Sequence, residues 1–86
     1  MITEIVVQNA DGEYVATLRA GRWLSDVSGV AEWLNVFYPV GQAPLGSGAY
    51  DPAPLLSTAL WAGRKLGLSI KEVIEEAEPE VENLVY

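Results

Sequence analysis

GLSIKEVIEEAEPEVENLVY, residues 67–86, is the stretch whose reading decides the fold of this 86-residue chain. Ile70, Val73, Ile74 and Ala77 recur at i, i+3, i+4 and i+7, the spacing of one helix face. Ser69 and Glu72 make an S-x-x-E capping box, in which a hydroxyl and a carboxylate satisfy amides that a helix start leaves free. The spacing therefore predicts a helix from Ser69. Burying its four apolar side chains is worth ~5 to 8 kcal/mol as an upper bound. Val81, Leu84 and Val85 continue the stripe beyond Pro79, a residue that removes one intrahelical bond, so the helix is expected to kink or break there. A short final strand over 83–86 is the rival reading.

Upstream, DPAPLLSTALWAGRKLG (51–67) predicts a second helix. Asp51 can accept from first-turn amides, and Pro52 and Pro54 fall where no intrahelical donor is needed. Leu55, Leu56, Ala59, Leu60, Gly63 and Leu66 form its buried stripe, with Gly63 allowing close approach of another backbone. Arg64 and Lys65 complement the dipole at its end. Before it lies a connection over about 39–50, rich in proline and glycine and at the upper edge of ordinary loop length, ~12 to 15 residues. WLSDVSGVAEWLNVFYP (23–39) predicts a third helix: Val27, Val30, Ala31, Leu34, Phe37 and Tyr38 are at helical spacing, Ser25 or Asp26 caps it and Pro39 closes it. Trp33 and Val36 fall off that stripe and widen the apolar surface.

ITEIVVQNADGEYVATLRA (2–20) reads as a β-hairpin, with two β-branched runs around Asn9-Ala10-Asp11-Gly12 and Gly12 as the left-handed turn residue. If Gln8 faces Glu13, then Thr3, Ile5 and Val7 share a face with Tyr14, Ala16 and Leu18. That face is apolar and the other mixed, so the ribbon should lie on helices. Two strands alone are marginal in water, so packing or a further strand is required. The expected fold class is α+β: one domain over 1–86, an N-terminal β-hairpin packed on three helices, the last kinked or broken near Pro79.

Half the residues are apolar and a fifth are charged, which argues for a folded globule. No cysteine or histidine is present, so disulfides, thiolate metal sites and histidine catalysis are excluded. A signal-peptide pattern and an apolar run of ~20 residues are both missing, so a soluble cytoplasmic protein is expected. The net charge of −7 is concentrated in Glu72, Glu75, Glu76, Glu78, Glu80 and Glu82, with no base after Lys71. Direct contact with nucleic acid or anionic membrane is therefore not expected.

Glu72 and Glu76 would stand one turn apart on the last helix, but on its solvent side, where carboxylates are ordinary. LGSGAYD (45–51) lacks the lysine and the spacing of a phosphate loop, and Ser47 has no histidine to activate it; Gly46 and Gly48 read as turn residues. Arg19 and Arg22 flank Trp23 and could form a small recognition patch. RKLGLSIKEV (64–73) resembles the turn of helix-turn-helix proteins over about residues 60–77, with Gly67 in the turn and Val73 six residues later. Its second helix departs from that pattern by offering Lys71, Glu72, Glu75 and Glu76 where bases need cationic or amide side chains. As a helix, 72–82 would span ~15 Å, a length over which duplex DNA carries about nine phosphates; acidic mimicry of DNA, acting on a DNA-binding partner, is thus the alternative function.

The aromatics carry the favoured one. Trp23, Trp33, Phe37, Tyr38, Tyr50 and Trp61 are many large rings for so small a core, and such rings dominate contact hot spots. The expectation is a non-catalytic protein-binding module, self-associating as a homodimer or engaging a partner protein. Trp33, Phe37, Tyr38, Tyr50 and Trp23 would form the contact, and the acidic face of Glu72, Glu75, Glu76 and Glu78 would set partner choice. No cofactor or metal is expected. The profile is similar to that of small accessory proteins of phages and mobile elements.

Overall fold

A computed structural model describes residues 2–43 and 54–76. Among these, four strands and two helices follow in the order β1 (Ile2–Gln8), β2 (Tyr14–Arg19), β3 (Arg22–Leu24), α1 (Val30–Phe37), α2 (Pro54–Leu66) and β4 (Ser69–Glu75). The sheet is antiparallel throughout, in the spatial order β3-β2-β1-β4. Both helices cover one face of it, and the core joins Ile5, Val7, Ala16, Leu18 and Trp23 of the sheet to Leu34 of α1 and Ala59 and Ala62 of α2.

The α+β class stands, but the expected helix at Ser69 is a strand, so the described residues hold two helices rather than three. Ile70, Val73 and Ile74 are β-branched and suit a pleated ladder as well as a helix face. The ladder is long-range: β4 runs antiparallel to β1 from Gln8↔Ser69 to Ile2↔Glu75, closing an edge that a lone hairpin leaves open. Side chains reinforce it, with Gln8 Nε2 donating to Ser69 Oγ at 3.2 Å and Thr3 Oγ1 to the Ile74 carbonyl at 3.2 Å. The capping box is therefore not used, and the helix-turn-helix resemblance loses its second helix. Ala77, Glu78, the kink at Pro79 and the rival strand over 83–86 lie outside the described residues, as does Asp51.

What turns the chain from α2 into β4 is Gly67, left-handed at φ 77°, whose amide and that of Leu68 both donate to the Gly63 carbonyl at 2.8 and 3.0 Å. The return is tight. A methyl group at Gly63 would lie 2.7 Å from the Leu68 carbonyl oxygen. Gly63→Ala gains helix propensity of ~1 kcal/mol, but the backbone it meets must shift at a cost of ~1 to 3 kcal/mol. Thermal unfolding is expected to show a net loss for Gly63→Ala, the opposite of what a glycine-to-alanine change does at an open helical site.

The hairpin's faces are as expected for Ile5, Val7, Ala16 and Leu18, all buried, but its register is two residues longer: Ile5 pairs with Leu18 and Val7 with Ala16. Asn9 causes this. Its side-chain oxygen accepts from the amides of Asp11 and Glu13 at 2.9 Å each, and its own amide donates to the Glu13 carbonyl at 2.9 Å, so Glu13 belongs to the loop. A register break at Val7/Gln8 follows, and the Tyr14 hydroxyl lies 3.3 Å from Thr17 Oγ1 on the outer face, away from Ala16 and Leu18.

The segment after Gly21 is also corrected. Ala20 and Gly21, at φ 55° and 76°, form a two-residue hairpin turn that returns Arg22–Leu24 as β3. The helix is accordingly shorter and begins at Val30. Ser25 does not cap it; its hydroxyl donates to the Val15 carbonyl at 2.7 Å and accepts from the Val27 amide at 3.0 Å. Because β3 ends the sheet, its outer backbone needs partners, and Asn35 supplies them from α1. The Trp23 amide donates to Asn35 Oδ1 at 2.9 Å and Asn35 Nδ2 donates to the Trp23 carbonyl at 3.1 Å. One side chain thus stands in for a neighbouring strand.

Candidate functional site

Helix α1 has an inner and an outer side. Leu34 is buried and Asn35 holds Trp23, so the opposite side must face away from the sheet, and it carries Trp33, Val36 and Phe37 at 46%, 69% and 56% exposure. These are large apolar side chains in water. Trp33 lies 4.9 Å from Phe37 and 5.8 Å from Tyr38, ring centre to ring centre, and Tyr38 meets Trp61 of α2 edge-on at 4.8 Å. The four rings form a continuous ridge from α1 to α2, held rigid by mutual contact.

Beside the ridge is a groove of about 360 Å³, and Trp33 is a wall of both. Val15, Val30, Leu34, Leu66 and Leu68 supply the remaining apolar walls, and Ser28 and Gly29 close its end. β2, α1 and α2 converge there because the turn that follows α2, with Leu68, lies beside the start of α1. A second hollow, of about 460 Å³, lies between α2 and β4 around Leu60, Gly63 and Ile70, apart from the rings. On the outer face of the sheet a polar cleft of about 340 Å³ holds Glu4, Tyr14, Thr17, Arg19 and Arg22. Arg19 and Arg22 pair across β2 and β3, so the recognition patch expected of them is an exposed pair on that rim.

Of the residues expected to form the contact, Trp33, Phe37 and Tyr38 come together. Trp23 does not join them: it is fully buried in the core, its indole N–H donating to the Tyr38 carbonyl at 2.7 Å. It works beneath the ridge by fixing the end of α1. Tyr50 lies outside the described residues. Trp61, Leu66, Leu68 and Val15 complete the surface from other parts of the chain.

The acidic residues are arranged differently from the helical expectation. Alternation along β4 sets Glu72 and Ile74 toward one face of the sheet and Val73 and Glu75 toward the other, with all four exposed. Glu72, Glu75 and Glu76 therefore share no single helical face, and Glu78, Glu80 and Glu82 lie outside the described residues. No group of three or more carboxylates placed to hold a metal ion occurs among them, and no helix there is long and apolar enough to cross a membrane.

No family model matches the chain, and no curated protein or solved structure matches it.

Proposed function

We propose that this chain is a non-catalytic protein-binding module whose contact surface is the outer side of α1, ridge and groove together. The observation that carries the reading is the exposure of Trp33, Val36 and Phe37 beside a groove lined by five further apolar side chains. Exposed to this degree, the two rings alone leave roughly 200 Å² of apolar surface in water. At about 25 cal/mol per Å² that is ~5 kcal/mol of driving force for anything that covers them. Single exposed apolar residues are ordinary, whereas a contiguous patch with an adjoining concavity marks an interaction site. The rings are also pre-organised by one another, so little side-chain entropy is lost on contact.

Charge supports the same face. Helix α1 carries one charged residue, Glu32, while Glu72 and Glu75 sit on β4, which is separated from the α1-covered strand β3 by two others. The centre of the patch is thus uncharged and its surroundings polar, the arrangement found in protein contacts.

A Trp33→Ala/Phe37→Ala double variant tests the reading. Both rings point outward, so the circular dichroism spectrum is expected to be unchanged. Association with proteins recovered by the wild-type chain, another copy included, should weaken by at least ~30-fold, the effect of losing a ~2 kcal/mol hot spot. A folded double variant that keeps every association at wild-type strength would refute it.

A further inference from the structure

We infer that the outer edge of β4, together with the hollow between β4 and α2, is a second binding site, separate from the α1 surface. Its occupant is an extended protein segment, added to the sheet as a further strand, along which apolar and cationic side chains alternate.

The two edges of the sheet are finished differently. On β3 the amide and carbonyl of Trp23 are both taken by Asn35. β4, the other edge, runs for seven residues and has no neighbour beyond it among the described residues. A row of unpaired amides and carbonyls is matched by one kind of partner, another extended backbone.

Ile70 and Val73 pair across the ladder with Val7 and Ile5, both buried beneath the helices, so they lie on the covered side of the sheet. On that side is the hollow of about 460 Å³, with Ala59, Leu60, Leu68 and Ile70 as its apolar walls. Leu60 and Val73 remain 49% and 41% exposed. A strand laid on β4 turns every second side chain toward this hollow, where an apolar group is required. Backbone bonding to a strand edge and a side-chain recess beside it are the two halves of strand-addition recognition.

The intervening side chains fall on the outer face, where Glu72 and Ile74 pair with Val6 and Glu4. Glu4, Glu72 and Glu75 on or beside β4 outnumber its single cation, Lys71, which is the extra residue at a register break. Cationic side chains complement that excess, and the net charge of −7 draws such a segment in. A second copy would bring the same acidic edge and is disfavoured by it. The breaks against β1 leave residues 72–74 as the regular part of the ladder, so the contact is short and of modest affinity.

The probe is a peptide of seven residues, the length of β4, blocked at both ends, in which lysine and valine alternate. Added to the nitrogen-15-labelled full chain, it should shift the amides of β4 and of residues 59–63, with a dissociation constant of roughly 10 to 500 μM. It should also slow hydrogen exchange of the β4 amides that do not bond β1. N-methylating alternate peptide nitrogens removes ladder donors and should weaken binding at least ~10-fold. Leu60→Lys, an exposed position, should weaken it at least ~5-fold. Glu72→Lys/Glu75→Lys should reverse the preference, so that a glutamate/valine peptide binds in place of the lysine/valine one. No binding at about 1 mM peptide, or binding indifferent to N-methylation and therefore charge attraction alone, would overturn the inference. So would β4 amides protected throughout in the free chain, because the edge would then be covered from within. Trp33→Ala/Phe37→Ala should bind the peptide as wild type does; loss of binding there would place the peptide on α1 and overturn the inference too.

Discussion

Trp23→Ala is expected to leave the chain barely folded. The indole is fully buried in the core that also holds Ile5, Val7, Leu18 and Leu34, and replacing a buried tryptophan by alanine costs ~3 to 5 kcal/mol in lost transfer and cavity. A domain of this size has roughly 5 to 10 kcal/mol in total. The loss reaches α1 as well. The indole N–H is the partner of the Tyr38 carbonyl at 2.7 Å, and the Tyr38 amide in turn donates to Leu34 at 2.7 Å to close the helix. The thermal midpoint should fall by roughly 12 to 40 °C, at ~4 to 8 °C per kcal/mol. Trp23→Phe separates the two contributions: it keeps most of the packing and orphans the carbonyl, for about 1 to 3 kcal/mol. If Trp23→Ala unfolds within a few degrees of wild type, Trp23 is not the centre of the core.

Asn35→Leu should come next in size. The leucine is apolar and similar in length, but it leaves both the amide and the carbonyl of Trp23 without partners on the outer side of β3. Two orphaned, part-buried backbone groups cost ~2 to 4 kcal/mol together. Asn35→Asp is the informative companion, since a carboxylate still accepts from the Trp23 amide but turns an acceptor toward the Trp23 carbonyl. Protonating that carboxyl restores a donor, so the deficit of Asn35→Asp is expected to shrink as pH falls, while that of Asn35→Leu is not. Urea titrations at neutral and acidic pH measure both. Equal pH dependence in the two variants would mean that the clamp contributes nothing.

The contrast between hairpin and C-terminal segment shows where local pattern is sufficient. Ile5, Val7, Ala16 and Leu18 were readable as one buried face because period-two alternation survives a register change of two residues. The register itself depended on Asn9 drawing Glu13 into the turn, a side-chain choice that composition does not reveal. At Ser69 the local signals pointed the wrong way: Ile70, Val73 and Ile74 fit a helix face and a strand alike, and the S-x-x-E pattern added weight to the helix. What decided the matter was the unpaired edge of β1, more than sixty residues away in sequence. Residues 22–24 were too short a run to read as a strand, and with them went the burial of Trp23. On the candidate surface, Trp33 and Val36 were legible as departures from the buried stripe. Val15, Leu66 and Leu68 were not, because only the meeting of β2, α2 and the turn after α2 brings them beside α1.

The claim that the outer side of α1 exists to be covered is most directly tested by nitrogen-15 correlation spectra of the labelled chain, which resolve the three indole N–H groups separately. On addition of a protein recovered by the wild-type chain, or on dilution from about 1 mM to about 10 μM if the occupant is another copy, the Trp33 indole signal and the amides of residues 29–37 should move together. The Trp23 indole, held by the Tyr38 carbonyl, should not. Signals that stay fixed throughout α1 on dilution and on addition of any captured protein, or that move only along β4, would contradict the account.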